Sequence, residues 1–240
     1  MRGRKPKRQP VEKHPHEHGL LLSAGEIHFL WWFIQGSIMS PSTREQLWKG
    51  WGMCERHAWG FISVEAAFRE GYLHGPAVLY EDLMNRARAA FLVRGPAQSR
   101  RSMRNIRAKG PCLMCEMEYG SKSKGSIEPE RVQKGRDLSE LQALARKTAP
   151  YWERAVCGRC AGNDSPQRCR RHLIADISRG VISDLSPHAA LVDDIAKHIK
   201  IYARSFCHGY HGTQTVEDEA ALISAVGWCT GWKTLLSIMK

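Results

Sequence analysis

The hydrophobic and polar positions of this chain follow the 3.6-residue period of amphipathic helices, and no segment keeps the two-residue alternation of a strand for long. The pattern therefore predicts a mostly α fold, a bundle-like domain in which apolar stripes face one interior. Helices are expected over 26–38, from 42, from 54 to about 71, and over 74–94, 137–149, 169–179, 186–206 and 215–239.

Local start and stop signals accompany this pattern. Ser42 with Glu45, and Thr215 with Asp218, have the spacing of a capping box, in which side chains satisfy the free N–H groups at a helix start. Pro150 is expected to end the helix that begins near Asp137, because proline has no backbone N–H to donate.

The predicted helices carry many aromatic residues. The helix that starts at Cys54 places His57 on one face with Phe61, Val64 and Phe68, so this histidine should point inward. Five tryptophans fall within helical segments, which favours a place in the core over stacking on nucleic-acid bases. They are Trp31, Trp32, Trp59, Trp228 and Trp232.

The chain divides into an arm and one domain. Residues 1–18 lack apolar periodicity and are predicted to form a disordered basic and histidine-rich arm. Residues 19–240 should form a single α-helical domain with loops at 94–110 and 121–135 and a helical pair over 186–238. The longest apolar run is too short to cross a bilayer and no secretion signal is evident, so we expect no membrane span and a cytoplasmic location.

Positive charge changes this picture, because the formal net charge is +12 and it is concentrated in two segments. Such segments are typical of surfaces that bind nucleic acid or another polyanion, although basic tails and loops also serve solubility alone. The candidate contacts are Arg2, Arg4, Lys5, Lys7, Arg8, Arg94, Arg100, Arg101, Arg104, Arg107 and Lys109.

Six of the eight cysteines belong to pairs with two-residue spacing. Such a spacing lets both side chains of a knuckle or first helical turn face one ion, and zinc prefers four thiolate or imidazole ligands in a tetrahedron. The pairs are Cys54 with His57, Cys112 with Cys115, Cys157 with Cys160, and Cys169 with His172. Together they supply the eight ligands of two closed Cys3His zinc sites.

The pairing of these four motifs is open at this point. The segment 157–172 can close on itself as a compact finger, which leaves Cys54/His57 to meet Cys112/Cys115 across a helical hairpin. Alternatively, the two Cys-x-Arg-His motifs mark a degenerate repeat over 24–95 and 110–180. The second copy would then pair Cys112/Cys115 with Cys169/His172, and the first copy would lack half its ligands.

The stretches GMCERHAWGF, HGPAVLYEDLMNRA and GPCLMCEME, followed by a late Cys-x-x-His, resemble a bacterial family with CPxC motifs and C-x-x-H-A-W helix starts. The resemblance covers most of residues 26–236 and implies no known reaction. It implies a mostly helical protein in which Cys54, His57, Cys112, Cys115, Cys169 and His172 bind metal. The chain departs from it in lacking a CxxC before Glu26.

Other chemistries fit these residues less well. No CxxCH motif for haem attachment is present, and the strand that precedes a thioredoxin-like CxxC is missing. An iron–sulfur cluster is allowed, but all-cysteine shells are commoner. A catalytic zinc needs an open position, whereas complete Cys3His shells leave none. Glu81 or Asp82 is expected to accept a hydrogen bond from His57 instead of acting as a base.

The sequence therefore predicts a structural zinc-binding interaction or regulatory protein, with nucleic acid or a protein as its partner and an enzymatic role disfavoured. A thiol-based metal or redox sensor is the first alternative, since oxidation of Cys157, Cys160 or Cys169 would eject the metal. A metal-dependent enzyme with an open coordination position is the second.

Overall fold

A computed structural model describes residues 20–93, 95 and 97–240. These residues form thirteen α-helices and two 3-10 helices, Ser37–Met39 and Glu153–Ala155, with no strand among them, which confirms the predicted mostly α fold. In chain order the α-helices are α1 Ala24–Ile34, α2 Pro41–Gly50, α3 Glu55–Phe68, α4 His74–Phe91, α5 Gln98–Ile106, α6 Leu113–Glu116, α7 Pro129–Gly135, α8 Ser139–Trp152, α9 Gly158–Ala161, α10 Arg170–Ser178, α11 Ser186–Arg204, α12 Val216–Thr230 and α13 Lys233–Ile238.

Two helices, α3 and α12, lie at the centre and are buried on almost every face. A helix that is apolar all round needs partners all round. Accordingly, α3 packs against α1, α7, α8 and α12. Helix α12 lies between α8 and α11, and α11 packs on its other side against α4. Buried apolar side chains from Leu20 to Ile238 form one continuous core. The amino-terminal end of α3, where Cys54 stands, is therefore anchored in the centre of the fold.

The tryptophans divide between core and surface. Trp59, Trp228 and Trp232 are fully buried, as expected. The core assignment of Trp32 is wrong, because α1 turns Phe29 and Phe33 inward and leaves the Trp32 ring 53% exposed. Trp31 is half-buried.

One predicted helix start is confirmed and another is wrong. Thr215 and Asp218 form the expected capping box at the start of α12. The capping box expected at Ser42 and Glu45 does not form, because α2 already begins at Pro41, where the fixed φ of proline suits the first helical position.

Several predicted boundaries also need correction. Helix α1 stops at Ile34, since Gly36 has a φ of 137° that a helix cannot continue. Pro150 does not end α8, which continues for two residues to Trp152 although the proline donates no N–H to the helix. The loops predicted at 94–110 and 121–135 contain α5 and α7.

The arm predicted over 1–18 lies outside the described residues. The single domain over 19–240 and the degenerate repeat over 24–95 and 110–180 stay predictions.

Candidate metal centres

Cys54, His57, Cys112 and Cys115, here named cluster 1, come together although up to 61 residues separate them in sequence. Their ligand atoms all lie within 4.8 Å of one another. The Sγ atoms of Cys54 and Cys115 are 3.8 Å apart, and the Nδ1 atom of His57 lies 3.3–3.5 Å from the three Sγ atoms. The Cys54/His57 and Cys112/Cys115 motifs thus come together as one set of four ligands.

Cluster 2 consists of Cys157, Cys160, Cys169 and His172 and repeats this geometry. The Sγ atoms of Cys160 and Cys169 are 3.8 Å apart, and the Nδ1 atom of His172 lies 3.2–3.4 Å from the three Sγ atoms. The segment 157–172 therefore closes on itself, as the spacing suggested.

Both clusters are built from the starts of two helices. Cys54 and Cys169 are the N-cap residues of α3 and α10, each with its histidine in the first turn. Cys112 and Cys157 are the N-cap residues of the one-turn helices α6 and α9. The positive end of a helix favours an anionic group, so four helix starts help these thiols to ionise.

These distances match one tetrahedral ion per cluster. With metal–sulfur bonds of about 2.3 Å and metal–nitrogen bonds of about 2.0–2.1 Å, a tetrahedral zinc site separates two sulfurs by about 3.8 Å and a sulfur from a nitrogen by about 3.6 Å. In an iron–sulfur cluster the ligands bind separate irons and must stand further apart. Each cluster could therefore hold a single metal ion, with four protein ligands.

The observed grouping decides between the two pairings that the sequence left open. Cys112/Cys115 joins Cys54/His57, and Cys157/Cys160 joins Cys169/His172. The pairing of Cys112/Cys115 with Cys169/His172 is wrong. The first pair needs no CxxC before Glu26, because its partner CxxC follows it in the chain.

A buried carboxylate that sequence reasoning missed fixes the histidine of cluster 1. His57 Nε2 donates to Glu26 Oε1 at 3.1 Å, and Arg56 donates to both carboxylate oxygens at 2.7 and 2.9 Å. Glu26 also forms a capping box with Ser23 at the start of α1. A carboxylate behind a metal-binding histidine orients the ring and raises its basicity. The Ser-x-x-Glu spacing at 23–26 was the only available signal.

The residues expected to support His57 lie elsewhere. Asp82 is near Arg44, at 3.7 Å, on the exposed side of α4. Glu81 is half-buried, and burial raises its pKa. The expectation that one of them accepts from His57 is wrong, because the inward face of α4 at this position presents Tyr80 and Leu83.

The protonation states of Glu26 and His57 favour the binding of a metal cation in cluster 1. Burial alone would raise the pKa of Glu26, but hydrogen bonds from His57, Arg56 and Ser23 hold it far below its usual range. Burial would lower the pKa of His57, but its hydrogen bonds with Cys112, Cys115 and Glu26 raise it to about 11. Without a metal, the histidine thus keeps a proton that a bound ion would displace.

The thiols of each cluster share protons in the same way. Hydrogen bonds from Cys115 and Cys54 hold the pKa of Cys112 far below its usual range, and the hydrogen bonds with Cys112 and Cys115 raise that of Cys54. In cluster 2 the hydrogen bond with Cys157 raises the pKa of Cys160 to about 11. Three thiolates this close repel one another, so full ionisation requires a divalent cation in their midst.

Cluster 2 is held by different neighbours. Asp176, which is almost fully buried, pairs with Arg159 of α9 and with Arg168, at 2.8 Å from the latter, and so ties the knuckle to α10. His172 is half-buried, and no acceptor for its Nε2 lies within hydrogen-bonding distance in the described part of the chain. Its ring therefore lacks the buried carboxylate that cluster 1 provides.

A turn at the start of α13 connects the two clusters. Helix α13 packs against α9, and the N–H of Thr234 donates to Glu55 Oε1 at 2.8 Å. Glu55 follows Cys54 directly in the chain. Trp59 Nε1 donates to Gly231 O at 3.0 Å. The starts of α3 and α9 are thus attached to one short segment.

The basic candidates fall into two groups. Arg2, Arg4, Lys5, Lys7, Arg8 and Arg94 lie outside the described residues. Arg100, Arg101, Arg104, Arg107 and Lys109 are all exposed on α5 and on the residues that follow it. None of these five forms an ion pair with a carboxylate of the described residues.

The two remaining cysteines join neither cluster. Cys207 is exposed near the end of α11. Cys229 is fully buried on α12, and burial raises its pKa to about 12, as for an inert core thiol.

None of the described helices is both long enough and apolar enough to cross a membrane. Comparisons with protein-family models, with curated proteins and with solved structures found no match for this chain. The two clusters and the surface around them are therefore the features from which a function can be inferred.

Proposed function

We propose that this protein is a structural zinc protein whose two closed Cys3His sites hold a basic surface in place for binding nucleic acid in the cytoplasm. The observation that carries the proposal is the matched geometry of the two clusters, in which four ligand atoms lie within 4.8 Å of one another. Four protein ligands complete the coordination of zinc and leave no position for substrate. The metal then contributes folding free energy and no chemistry.

The position of the basic residues supports the second half of the proposal. The basic segment, defined as residues 98–110, runs between the two clusters. Its end leads directly into Cys112 of cluster 1, and the Lys109 N–H donates to Lys49 O at 2.8 Å. On the other side Arg170, next to Cys169 of cluster 2, donates to Ile106 O at 2.9 Å. Residues next to both metal sites therefore hold the backbone of the basic segment in position.

The surface of the basic segment suits a polyanion. Helix α5 buries Ser102 and Ile106 and exposes Arg100, Arg101 and Arg104. Arg104 lies four residues after Arg100 and three after Arg101, so it neighbours both on the helix surface. Since no carboxylate of the described residues pairs with these side chains, they are available to replace the counterions of a phosphate backbone.

Zinc content tests the first half. Elemental analysis of the reduced full chain should give two zinc ions, and Cys169→Ala and Cys112→Ala should each retain one. Iron, or a metal that exchanges freely at both clusters, would contradict closed zinc sites and favour the redox or catalytic alternatives.

Charge reversal tests the second half. The zinc-loaded Arg101→Glu/Arg104→Glu variant should bind labelled DNA more weakly, with a slope of log K against log salt reduced by about 2. Arg146→Glu/Lys200→Glu is the matched control, since it changes two exposed cations on α8 and α11 by the same total charge. If both variants bound DNA equally weakly, the binding would depend on net charge alone, which would contradict a specific role for the basic segment.

A second candidate, an oxidant sensor, is favoured by the partial exposure of cysteines in both clusters, which are Cys160 in cluster 2 and Cys54, Cys112 and Cys115 in cluster 1. Peroxide would oxidise the Cys160 and Cys169 thiolates to a disulfide and be reduced to water, and the zinc would leave. Stoichiometric zinc release by mild peroxide, reversed by a dithiol, would support this role. Retention of both zinc ions would rule it out.

A further inference from the structure

An exposed tryptophan lies beside the basic segment. Trp48, near the end of α2, is 39% exposed. The hydrogen bond between Lys109 N–H and Lys49 O places the end of the basic segment directly along this turn of α2, and Trp51 Nε1 donates to Arg107 O at 3.2 Å. An aromatic face thus shares one surface with a row of cations that have no carboxylate partner among the described residues.

Trp48 belongs to a ladder of alternating cations and aromatic rings. Lys109 Nζ lies 5.3 Å from the centre of the Trp48 ring, and the Arg86 guanidinium lies 3.8 Å from Trp48 and 4.0 Å from Trp51. The Arg170 guanidinium follows at 5.1 Å from Trp51. The ladder runs from the exposed Lys109 to the buried Arg170.

The inner part of the ladder is rigid. Arg170 donates to Cys229 O and Ile106 O, both at 2.9 Å, and Arg86 donates to Trp48 O. Trp51 is fully buried. The Trp48 ring therefore rests on a fixed guanidinium, and a ligand that stacks on it needs no reorganisation of this support.

The outer part is open to exchange. Lys109 is exposed, and its ammonium is the weakest contact of the ladder at 5.3 Å. Among the described residues no carboxylate forms an ion pair with Lys109, Arg86 or Arg170. A planar group that replaced the Lys109 ammonium over the ring would leave this cation free to contact an adjacent phosphate.

We propose that the ligand of this surface is single-stranded nucleic acid, with one base stacked on Trp48 and the flanking phosphates along Lys109, Arg107 and the arginines of α5. This inference rests on the proposed function and narrows it. A ligand with both a planar ring and several anionic groups matches the ladder and the basic segment together. In a duplex the bases are stacked on one another and offer no free face, so duplex would use the arginines alone.

Trp48→Leu tests the stacking contact, because leucine keeps apolar bulk and removes the aromatic face. The matched control is Trp32→Leu, which alters another exposed tryptophan, on α1. Trp48→Phe should restore part of the binding. Each zinc-loaded full-length variant is titrated against a fluorescent single-stranded oligonucleotide and against the duplex of the same sequence, and zinc content and circular dichroism confirm folding.

Trp48→Leu should weaken single-strand binding by about 5- to 150-fold, the effect of one lost base–aromatic stack, and leave the salt slope and duplex binding unchanged. The inference is overturned if Trp48→Leu binds the single strand like wild type, or if Trp32→Leu is equally impaired. Binding that still depends on Arg101 and Arg104 would then leave the proposed function standing. Failure of the wild type to bind either form would overturn both.

Discussion

Replacing Glu26 by glutamine should weaken the metal affinity of cluster 1 and leave that of cluster 2 unchanged. The carboxylate is fully buried and accepts four hydrogen bonds, from Ser23 N at 2.7 Å, from Arg56 at 2.7 and 2.9 Å and from His57 Nε2 at 3.1 Å. Each carboxylate oxygen accepts two of these four bonds. A glutamine side chain would replace one of the oxygens by an NH2 group, which cannot accept. Whichever way the amide turns, two of the four hydrogen bonds are lost.

The magnitude follows from these contacts. In either orientation of the amide the negative charge that raises the basicity of the His57 ring is lost, and loss of such a carboxylate behind a metal-binding histidine costs about 10- to 100-fold in metal affinity. Hydrogen bonds to charged groups contribute about 1.5–3 kcal/mol each, so the loss of two of them should lower the free energy of unfolding by roughly 3–6 kcal/mol as well. The change in affinity belongs to cluster 1 alone, since none of the hydrogen bonds of Glu26 involves a residue of cluster 2.

A competition titration of the reduced, zinc-loaded chain against a chromophoric chelator would resolve the two sites. One zinc ion should be released at a lower chelator concentration in Glu26→Gln than in wild type. Asp218→Asn is the matched control, because Asp218 is also the acid of a capping box and bonds a histidine, His198, at 2.7 Å, but lies in neither cluster. A lower melting temperature in both variants with zinc affinities unchanged would show that Glu26 acts only as a helix cap.

Three further outcomes are expected. Glu65→Gln should stabilise the protein at about pH 8 by roughly 3 kcal/mol, because burial raises the pKa of Glu65 from 4.5 to about 7 and wild type loses stability as pH rises through this interval. Urea unfolding should show that the extra stability of the variant shrinks toward pH 5. A difference in unfolding free energy that stays constant with pH would contradict this expectation. Gly158→Ala should lower the zinc affinity of cluster 2 in the same competition titration, since the new Cβ would collide with the backbone oxygen of Ser165, whereas unchanged affinity would mean that the loop yields freely. Chelation should raise amide hydrogen exchange first in 107–116 and 157–169, because one-turn helices are not stable alone; uniform loss of protection would point instead to global unfolding.

The sequence predicted those features of the site that depend on local spacing. A cysteine at a helix start with a histidine three residues later brings both ligands to one side of the first turn, and the structure has this arrangement at Cys54 and Cys169. The compact finger at 157–172 was predictable for the same reason. The short loop between its two pairs leaves little choice of partner.

Features that depend on distant contacts could not be predicted in this way. The meeting of Cys54 with Cys115 depends on how α2 and the basic segment pack, as shown by the backbone bond between Lys109 and Lys49. The link from Glu26 on α1 to His57 on α3 joins two residues that are 31 positions apart in sequence. Trp32 has the same local signal as its buried neighbours, and only the packing of α1 decides which ring faces solvent.

The two clusters differ in their surroundings although their ligands are arranged alike, and the difference gives each a distinct part in the fold. Cluster 1 lies at the start of the central helix α3, and the buried Glu26 carboxylate orients its histidine. Cluster 2 lies on α9 and α10 with a half-buried histidine. Since the basic segment is fastened at both places, by Cys112 on one side and through Arg170 on the other, loss of either ion should disturb its course. Cluster 2, which lacks the buried carboxylate, is the one we expect to lose its metal first.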